Sequence, residues 1–523
     1  MSEATASRPG EAMASRPSEA PPRRRERRTA QRLRQLPWRE VRVPYRPYEI
    51  LSADQIETIH LASLKVLEEI GMEVLHEPSR ALLKAAGVDV DHAGQRARFD
   101  RDFIEQAIAK APAEFTLRAR NPARSVTLGG NRIVISSVGG PAYISDLDRG
   151  RRDGTYADMC DFIRLVQSLN IIHQEGGGPV EPLDLPAESR HLDLYLAQIT
   201  LTDKTWQGWA LGSGRAVDAI EMNRIALGLT SAEMARTPAQ MTIVNTNSPL
   251  RLDIPMAEGL SVYAGAGQAV VVTPFTLSGA MSPVTIAGAL AQQNAEALAV
   301  IALAQTINPG TPVIYGGFTS NVDMRTGAPA FGTPEYAQAV LAGAQLARRY
   351  RLPFRSSNVN ASNAVDVQAA YESAMSLWAC FSGHVNLLYQ AAGWLEGGLT
   401  ASFEKLILDA EMLQMMAAFV SPMAVSEESL GFAAMAEVGP GGHFFGAAHT
   451  LERYEDAFYQ PLLSDWRNFE TWREAGALDG TRRANAIWKE LLKTYEQPPL
   501  DPAIREELEA YATRRKQEIA ASR

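Results

Sequence analysis

His384–Thr400 reads HVNLLYQAAGWLEGGLT. The run from His384 to Tyr389 is almost continuously apolar, the pattern of a strand covered on both faces. It then breaks into Ala391, Ala392 and Gly393, and presents Trp394 and Glu396 ahead of two glycines. A buried strand that ends in small residues, a ring and a carboxylate is the pattern of an α/β enzyme site, where loops at strand ends carry the functional groups.

Working outward, seven more short apolar runs precede this one. They are 132–137 (RIVISS), 170–174 (NIIHQ), 205–210 (TWQGWA), 241–246 (MTIVNT), 269–274 (AVVVTP), 312–316 (PVIYG) and 352–357 (LPFRSS). A loop holding Gly, Ser, Asn or Pro follows each run. Helical periodicity fills the intervals near 155–169, 187–201, 215–228, 254–266, 284–306, 334–350, 365–382 and 402–418. Thr333-Pro334 supplies an N-cap with proline at the first helical position, Thr155 stands three before Asp158 in a near capping box, and Asn308-Pro309-Gly310 is a stop signal. Eight strand–helix repeats predict a (β/α)8 TIM barrel over 131–420. A doubly wound open sheet uses the same alternation and is the structural alternative.

The flanks read differently. Residues 1–36 are rich in Pro, Ser, Ala and Arg, with a basic block at Arg23, Arg24, Arg25, Arg27 and Arg28, and are expected to be a disordered tail. Glu3, Glu11, Glu19 and Glu26 set the tail apart from an acid-poor transit peptide. An α-rich cap is expected over 37–130, with helices at 53–70, 78–86 and 101–110 and a meander of short strands at 115–135. Residues 421–523 are expected to form a Gly-rich loop and a helical extension, with helices near 455–462, 465–475, 482–495 and 502–518.

Composition narrows the function. The chain has 523 residues, 46% hydrophobic and 21% charged, with a net charge of −9, which argues against nucleic-acid binding by its body. No uninterrupted apolar run reaches the roughly 18 residues of a membrane helix. Cys160 and Cys380 lie in helical patterns as buried free thiols, so a cytoplasmic location is expected. The glycine clusters Gly176–Gly178 and Gly439–Gly442 do not fit a phosphate-binding motif, and no GxSxG or HExxH is present.

In a barrel the site lies at the C-terminal strand ends. Aromatics recur there, at Trp209, Phe275, Tyr315, Phe318, Tyr389 and Trp394, while acid–base groups are sparse. Rings converging on one cavity attract a quaternary ammonium, each contact being worth roughly 0.5–2 kcal/mol. Most rings of this kind are ordinary core, so the reading asks only that two or more share a pocket. Glu175, ahead of three glycines, and Trp394 are the candidates at the reacting centre. His443, His449 and Glu437 would serve a metal-assisted lyase or hydrolase, but their spacing matches no zinc motif, and no metal is expected. A non-catalytic betaine-binding module is the remaining alternative.

Four segments carry a resemblance. EVGPGGHFFGAAHT (437–450), FETWREAGALD (469–479) preceded by Asp465-Trp466, DMRTGAPAFGTPEYAQAV (323–340) and PLDPAIREELEAYATRRK (499–516) together resemble the trimethylamine methyltransferase family over about 50–520. The resemblance implies a TIM barrel that moves a methyl group from a methylated amine to the Co(I) of a corrinoid (cobalamin) on a separate protein. The founding members carry pyrrolysine near the end of the last strand. Tyr389-Gln390-Ala391-Ala392-Gly393-Trp394 holds only standard residues, so the chain is similar to the branch without pyrrolysine, associated with glycine betaine, proline betaine or carnitine. A quaternary ammonium leaves as a neutral amine and needs no general acid, which suits a site of many rings and few acids. The carboxylate of a betaine needs a partner. Arg325 is the first candidate, with Arg355 and His443 next, while Glu175 and Glu396 are expected either to orient polar groups or simply to hold loops through backbone hydrogen bonds. A homo-oligomer is expected.

Overall fold

The apolar runs do become strands. They are β1 (Arg132–Ile135), β2 (Gln174–Glu175), β3 (Thr205–Trp206), β4 (Met241–Val244), β5 (Ala269–Val272), β6 (Val313–Gly316), β7 (Phe354–Ser357) and β8 (Leu387–Tyr389). The structure, a computed structural model, describes residues 33–522. Parallel ladders run in the order β1–β8–β7–β6–β5–β4, with Val134 opposite Leu387, Arg355 opposite Leu387, Tyr315 opposite Phe354, Val270 opposite Val313 and Met241 opposite Ala269. A short strand, Val41–Arg42, lies antiparallel on the edge of β1 away from β8.

β2 and β3 form a separate parallel pair. Only the single parallel bridges Ser136–Gln174 and Gln207–Met241 connect that pair to β1 and β4. The fold is therefore mixed α/β, and the expected eight-stranded barrel does not appear as one continuous closed ladder among the described residues. The reason is local. β2 runs straight into Gly176-Gly177-Gly178, where Gly177 and Gly178 take φ of 88° and 95°, a conformation that ends strand pairing.

Helices follow the strands: α1 (Tyr156–Ser168), α2 (Arg190–Leu201), α3 (Ser213–Ala226), α4 (Ile254–Gly265), α5 (Ile286–Ile307), α6 (Pro334–Tyr350), α7 (Val367–Gly383) and α8 (Phe403–Phe419). Their starts obey the cap chemistry. The Thr333 hydroxyl accepts from the Tyr336 amide at 3.2 Å and the Thr155 hydroxyl from the Asp158 amide at 3.2 Å. By length and hydropathy α5 would pass for a membrane span, but 78% of that window is buried inside the fold, so it is a core helix.

The core explains the apolar pattern. Val134, Met241, Val271, Ile314 and Leu387 pack in one cluster with Phe115, Leu117, Val126 and Leu128, which come from an N-terminal hairpin. Helices Ala53–Lys65, Glu77–Ala85 and Arg101–Ile108 precede that hairpin. Of the expected tail, residues up to 32 lie outside the described residues. Gln35 and Leu36 are held by hydrogen bonds to Ser168, Asn170 and Gln414.

Two features depart from expectation. Residues 455–462 are not helical: Phe458 is 77% exposed, Leu462 is the one buried residue of the segment, and Pro461 interrupts it. Helices do form at Phe469–Glu474, Gly480–Lys493 and Pro502–Ala521. Second, the strand-end loops are not simple loops. Phe275–Ser278 pairs in parallel with Phe318–Val322, and Trp394–Leu395 pairs with Thr400–Ser402, which in turn pairs with Tyr143–Asp146. These small upper ladders build the walls described next.

Candidate active site

A cavity of ≈ 470 Å³ opens where β1 to β8 end. Each strand, or the segment that follows it, contributes to the lining, through Gly139, Gly177, Trp209, Asn245, Thr273, Phe318, Arg355 and Tyr389. The upper ladders set the ring positions. Phe275 and Phe318 are directly opposite in register, and their ring centroids lie 5.1 Å apart. Phe318 stacks on Trp394 at 5.6 Å with 17° between planes, and Phe331 closes on Trp394 from another side at 5.9 Å. Trp394 cannot retreat, because Gly398 packs against its indole so closely that a Cβ there would meet the ring at 2.8 Å.

Arg355 is the cavity's cation. It lies within β7, is 3% exposed and lines the cavity. Its guanidinium is 5.2 Å from the Phe318 ring centre and 5.0 Å from that of Tyr389. Neither Nε nor Nη1 has a hydrogen-bond partner among the described residues. The groups acting on it electrostatically are the Tyr336 and Tyr389 phenols and the Cys380 thiol, none of them a carboxylate. Burial lowers its pKa to about 10, so it stays charged at neutral pH. A buried, unpaired cation is costly, and an anion entering the cavity would relieve that cost.

The remaining expected residues divide sharply. Trp209, Phe275, Phe318, Tyr389 and Trp394 line the cavity together. The Trp209 indole donates to the Gly177 carbonyl at 2.9 Å, and the Tyr389 hydroxyl donates to the Gly176 carbonyl. Tyr315 is not in the lining. It is fully buried with its hydroxyl donating to Asn294 at 2.9 Å and accepting from Gln293 at 3.0 Å, both on α5. Arg325 is exposed in a turn, its amide bonded to Asp323 at 3.1 Å, and is not in the lining. Nor is His443, which is exposed beside Phe445. His449 and Glu437 share a separate cleft that His443 does not line, and among the described residues no three His, Cys, Asp or Glu side chains cluster as metal ligands.

Glu396 holds the rim rather than the cavity. It accepts from Arg151 at 2.6 and 3.0 Å and from Thr400, and its neighbours Gly397 and Gly398 line the opening. It does so at φ 54°, and Gln390, in the lining, takes φ 53°. Two left-handed non-glycine residues thus bracket Trp394, the kind of local strain that collects at functional sites. Gln207, Asn245, Thr273 and Gln390 belong to the strand-end loops but were not singled out as wall residues, Glu181 was not anticipated, and Arg355 was ranked second. The signal for Arg355 was available: it is the one charged residue in an otherwise apolar and small strand run.

Glu175 lies behind the glycine wall, outside the lining. Its carboxylate is fully buried and accepts from the Gly177 and Gly178 amides, each at 2.9 Å, and from Gln198. Burial pushes its pKa up to about 7 against the pull of those three donors. The unfolded chain ionises this group at a lower pH than the folded one. Its contribution to stability is therefore complete below the ordinary carboxylate range and is lost as pH rises toward 7. Glu175→Gln, which cannot ionise, should gain on wild type by on the order of 1–3 kcal/mol between pH 5 and 8. Melting temperatures of both proteins across that range check this, and a difference that stays flat with pH rules it out.

The model of the family described as trimethylamine methyltransferase (MTTB) matches residues 18–520. The chain is 40% identical over 473 residues to a glycine betaine methyltransferase of Desulfitobacterium hafniense, covering 90% of this chain and 98% of the relative. It is 27% identical over 475 residues to the trimethylamine methyltransferase MttB of another strain of that species, covering 90% and 95% respectively. Among solved structures it is similar to the hydroxylamine MtmB complex, with a TM-score of 0.48 and 11% identity over 86% of this chain and 96% of the other. This chain, with the family model matched along nearly its whole length, belongs to the trimethylamine methyltransferase family.

Proposed function

We propose that this protein moves a methyl group from a betaine, a quaternary ammonium that also bears a carboxylate, to the Co(I) of a corrinoid carried by a partner protein. The observation that carries the reading is the pairing, in one cavity, of a stacked ring wall with an unpaired buried arginine. The rings suit N⁺(CH₃)₃, and the guanidinium suits the carboxylate at the other end of the same molecule. The relatives support the class of donor: one is named for glycine betaine and acts as a methyltransferase.

When bound, the Co(I) corrinoid supplies the electron pair that takes the methyl group, while the pair of the breaking C–N bond stays on nitrogen and no proton moves. What remains for the protein is placement and dryness. Phe318, Trp394 and Phe275 hold the cation without setting a formal negative charge against it, so the donor is not stabilised more than the transition state. Charge is cancelled as the methyl group transfers, and a water-poor cavity favours that cancellation. Arg355 fixes the far end and so aims the N–CH₃ bond. Gly139, Gly140, Gly397 and Gly398 line the cavity, and of these only Gly140 leaves free space: a Cβ there would meet nothing within 4 Å, whereas one on Gly139 or Gly398 would meet the protein itself at 1.9 and 2.8 Å. The exposed Gly140 backbone is where a flat macrocycle has room to approach. We also read the fold as a (β/α)8 barrel over 131–420, supported by the two single bridges on either side of the β2–β3 pair. On the same reading 37–130 is a cap and 421–523 an extension.

The test is spectroscopic. Enzyme, a corrinoid protein reduced to Co(I) and one donor are mixed, and the Co(I) absorption is followed. Glycine betaine, proline betaine and carnitine are compared with choline and trimethylamine. At least one carboxylated quaternary amine should consume Co(I), well ahead of the two donors that lack a carboxylate. Binding of a betaine with no loss of Co(I) would instead identify a binding module, and no response to any quaternary amine would defeat the proposal.

A further inference from the structure

Behind the loop that carries Trp394 lies a buried ion pair. Lys405 and Asp409 stand four apart on α8, both with fully buried side chains, and Lys405 Nζ is 2.5 Å from Asp409 Oδ1. The Asp409 carboxylate has three further donors. Oδ1 accepts from Ser373 Oγ at 3.1 Å and from Asn358 Nδ2 at 3.2 Å, and Oδ2 accepts from the Gly393 amide at 2.9 Å. Asn358 Nδ2 also donates to the Ala391 carbonyl at 2.9 Å. The loop between Tyr389 and Trp394 is thus gripped at Ala391 and at Gly393 by one charged network. Both grips act on backbone in a segment that a side chain would not fit, since a Cβ on Gly393 would meet Phe162 at 2.6 Å.

A buried ion pair is a poor device for stability. Well-packed apolar residues of similar volume usually serve as well or better, whereas loss of one partner alone is severe. Its use here calls for something that apolar packing cannot do, and a directed bond to a backbone amide is such a thing. We propose that Lys405, Asp409 and Asn358 form a positioning clamp that sets where Trp394 stands against Phe318, and thereby aligns the methyl donor. Asp409 touches neither donor nor acceptor, so it is a positioning residue. The inference rests on the methyl-transfer reading above for its kinetic consequence, but not for its geometry.

The clamp makes the amide acceptor, not the charge, the essential part. Lys405→Met with Asp409→Leu removes both charges and the acceptor. Lys405→Met with Asp409→Asn removes the charges but leaves an oxygen for the Gly393 amide. The first pair should bind betaine within about threefold of wild type yet transfer methyl groups about 10–100-fold more slowly, because misplacement of roughly 1 Å has that effect on rate. The second should recover most of the rate. A Leu-bearing protein that folds and transfers at the wild-type rate would overturn the clamp, as would equal losses in both variants. Should the variants not fold, hydrogen exchange of the wild-type peptide carrying Gly393 decides. Protection like that of the sheet amides supports the clamp, and loop-like exchange overturns it. If wild type itself transfers from no betaine, the functional reading fails, while the exchange result still judges the clamp.

Discussion

Arg355→Met should cut kcat/KM for glycine betaine about 100- to 1,000-fold, in a raised KM because a buried charge partner of the carboxylate is removed, and in a lowered kcat because the N–CH₃ bond is no longer aimed. The same variant should be as stable as wild type or more so. In the wild type Arg355 is a buried cation with two nitrogens unpartnered and no carboxylate beside it, and Met removes that desolvation cost. A gain or parity in melting temperature with a collapse in substrate use is an unusual combination, and it separates a binding arginine from a structural one. Arg355→Lys keeps the charge but not the planar fork, so about a tenfold loss is expected. Tetramethylammonium, which has no carboxylate, should be indifferent to all three residues. Steady-state kinetics and thermal melts check the set. An unchanged KM for glycine betaine in the Met variant removes Arg355 from the site.

The second large effect is expected at Trp394. The indole is 3% exposed, stacked on Phe318 and flanked by Phe331. Trp394→Ala loses a ring of the cation wall and opens the cavity to water, so kcat/KM should fall about 10–100-fold. It also leaves a void in a packed cluster, at about 3–5 kcal/mol in stability. Trp394→Phe keeps a ring face and should retain most of both. Calorimetry for donor binding and the decay of Co(I) for transfer resolve the two losses. A folded Ala variant that transfers at the wild-type rate would show that the ring plays no part in holding the donor.

The legible part of the site was its position. Trp209, Phe275, Phe318, Tyr389 and Trp394 were expected at strand ends and do meet in one cavity. The illegible part was direction. On a strand buried on both faces, an apolar run does not say which residues point inward. In β6, Ile314 joins the central core cluster, while its neighbour Tyr315 turns outward to Asn294 and Gln293 on α5. Tyr315 therefore looks like a site aromatic in sequence and is a core residue in space. The upper ladders were missed for a related reason. Their runs are too short and too polar to stand out, yet the register of one of them is what places Phe275 against Phe318.

The sequence alone determined the alternation of strands and helices, the family, and the loop without pyrrolysine at 389–394, because periodicity, caps and motifs are local properties of the chain. Only the tertiary structure decided which arginine faces the cavity. Arg325 and Arg355 are both in or after strands, and both are plausible partners for a carboxylate. Their difference lies in what surrounds them: a turn open to water around the first, two rings and no counter-charge around the second. Charge pairing and desolvation act through space between residues far apart in the chain, and no spacing along the sequence encodes them.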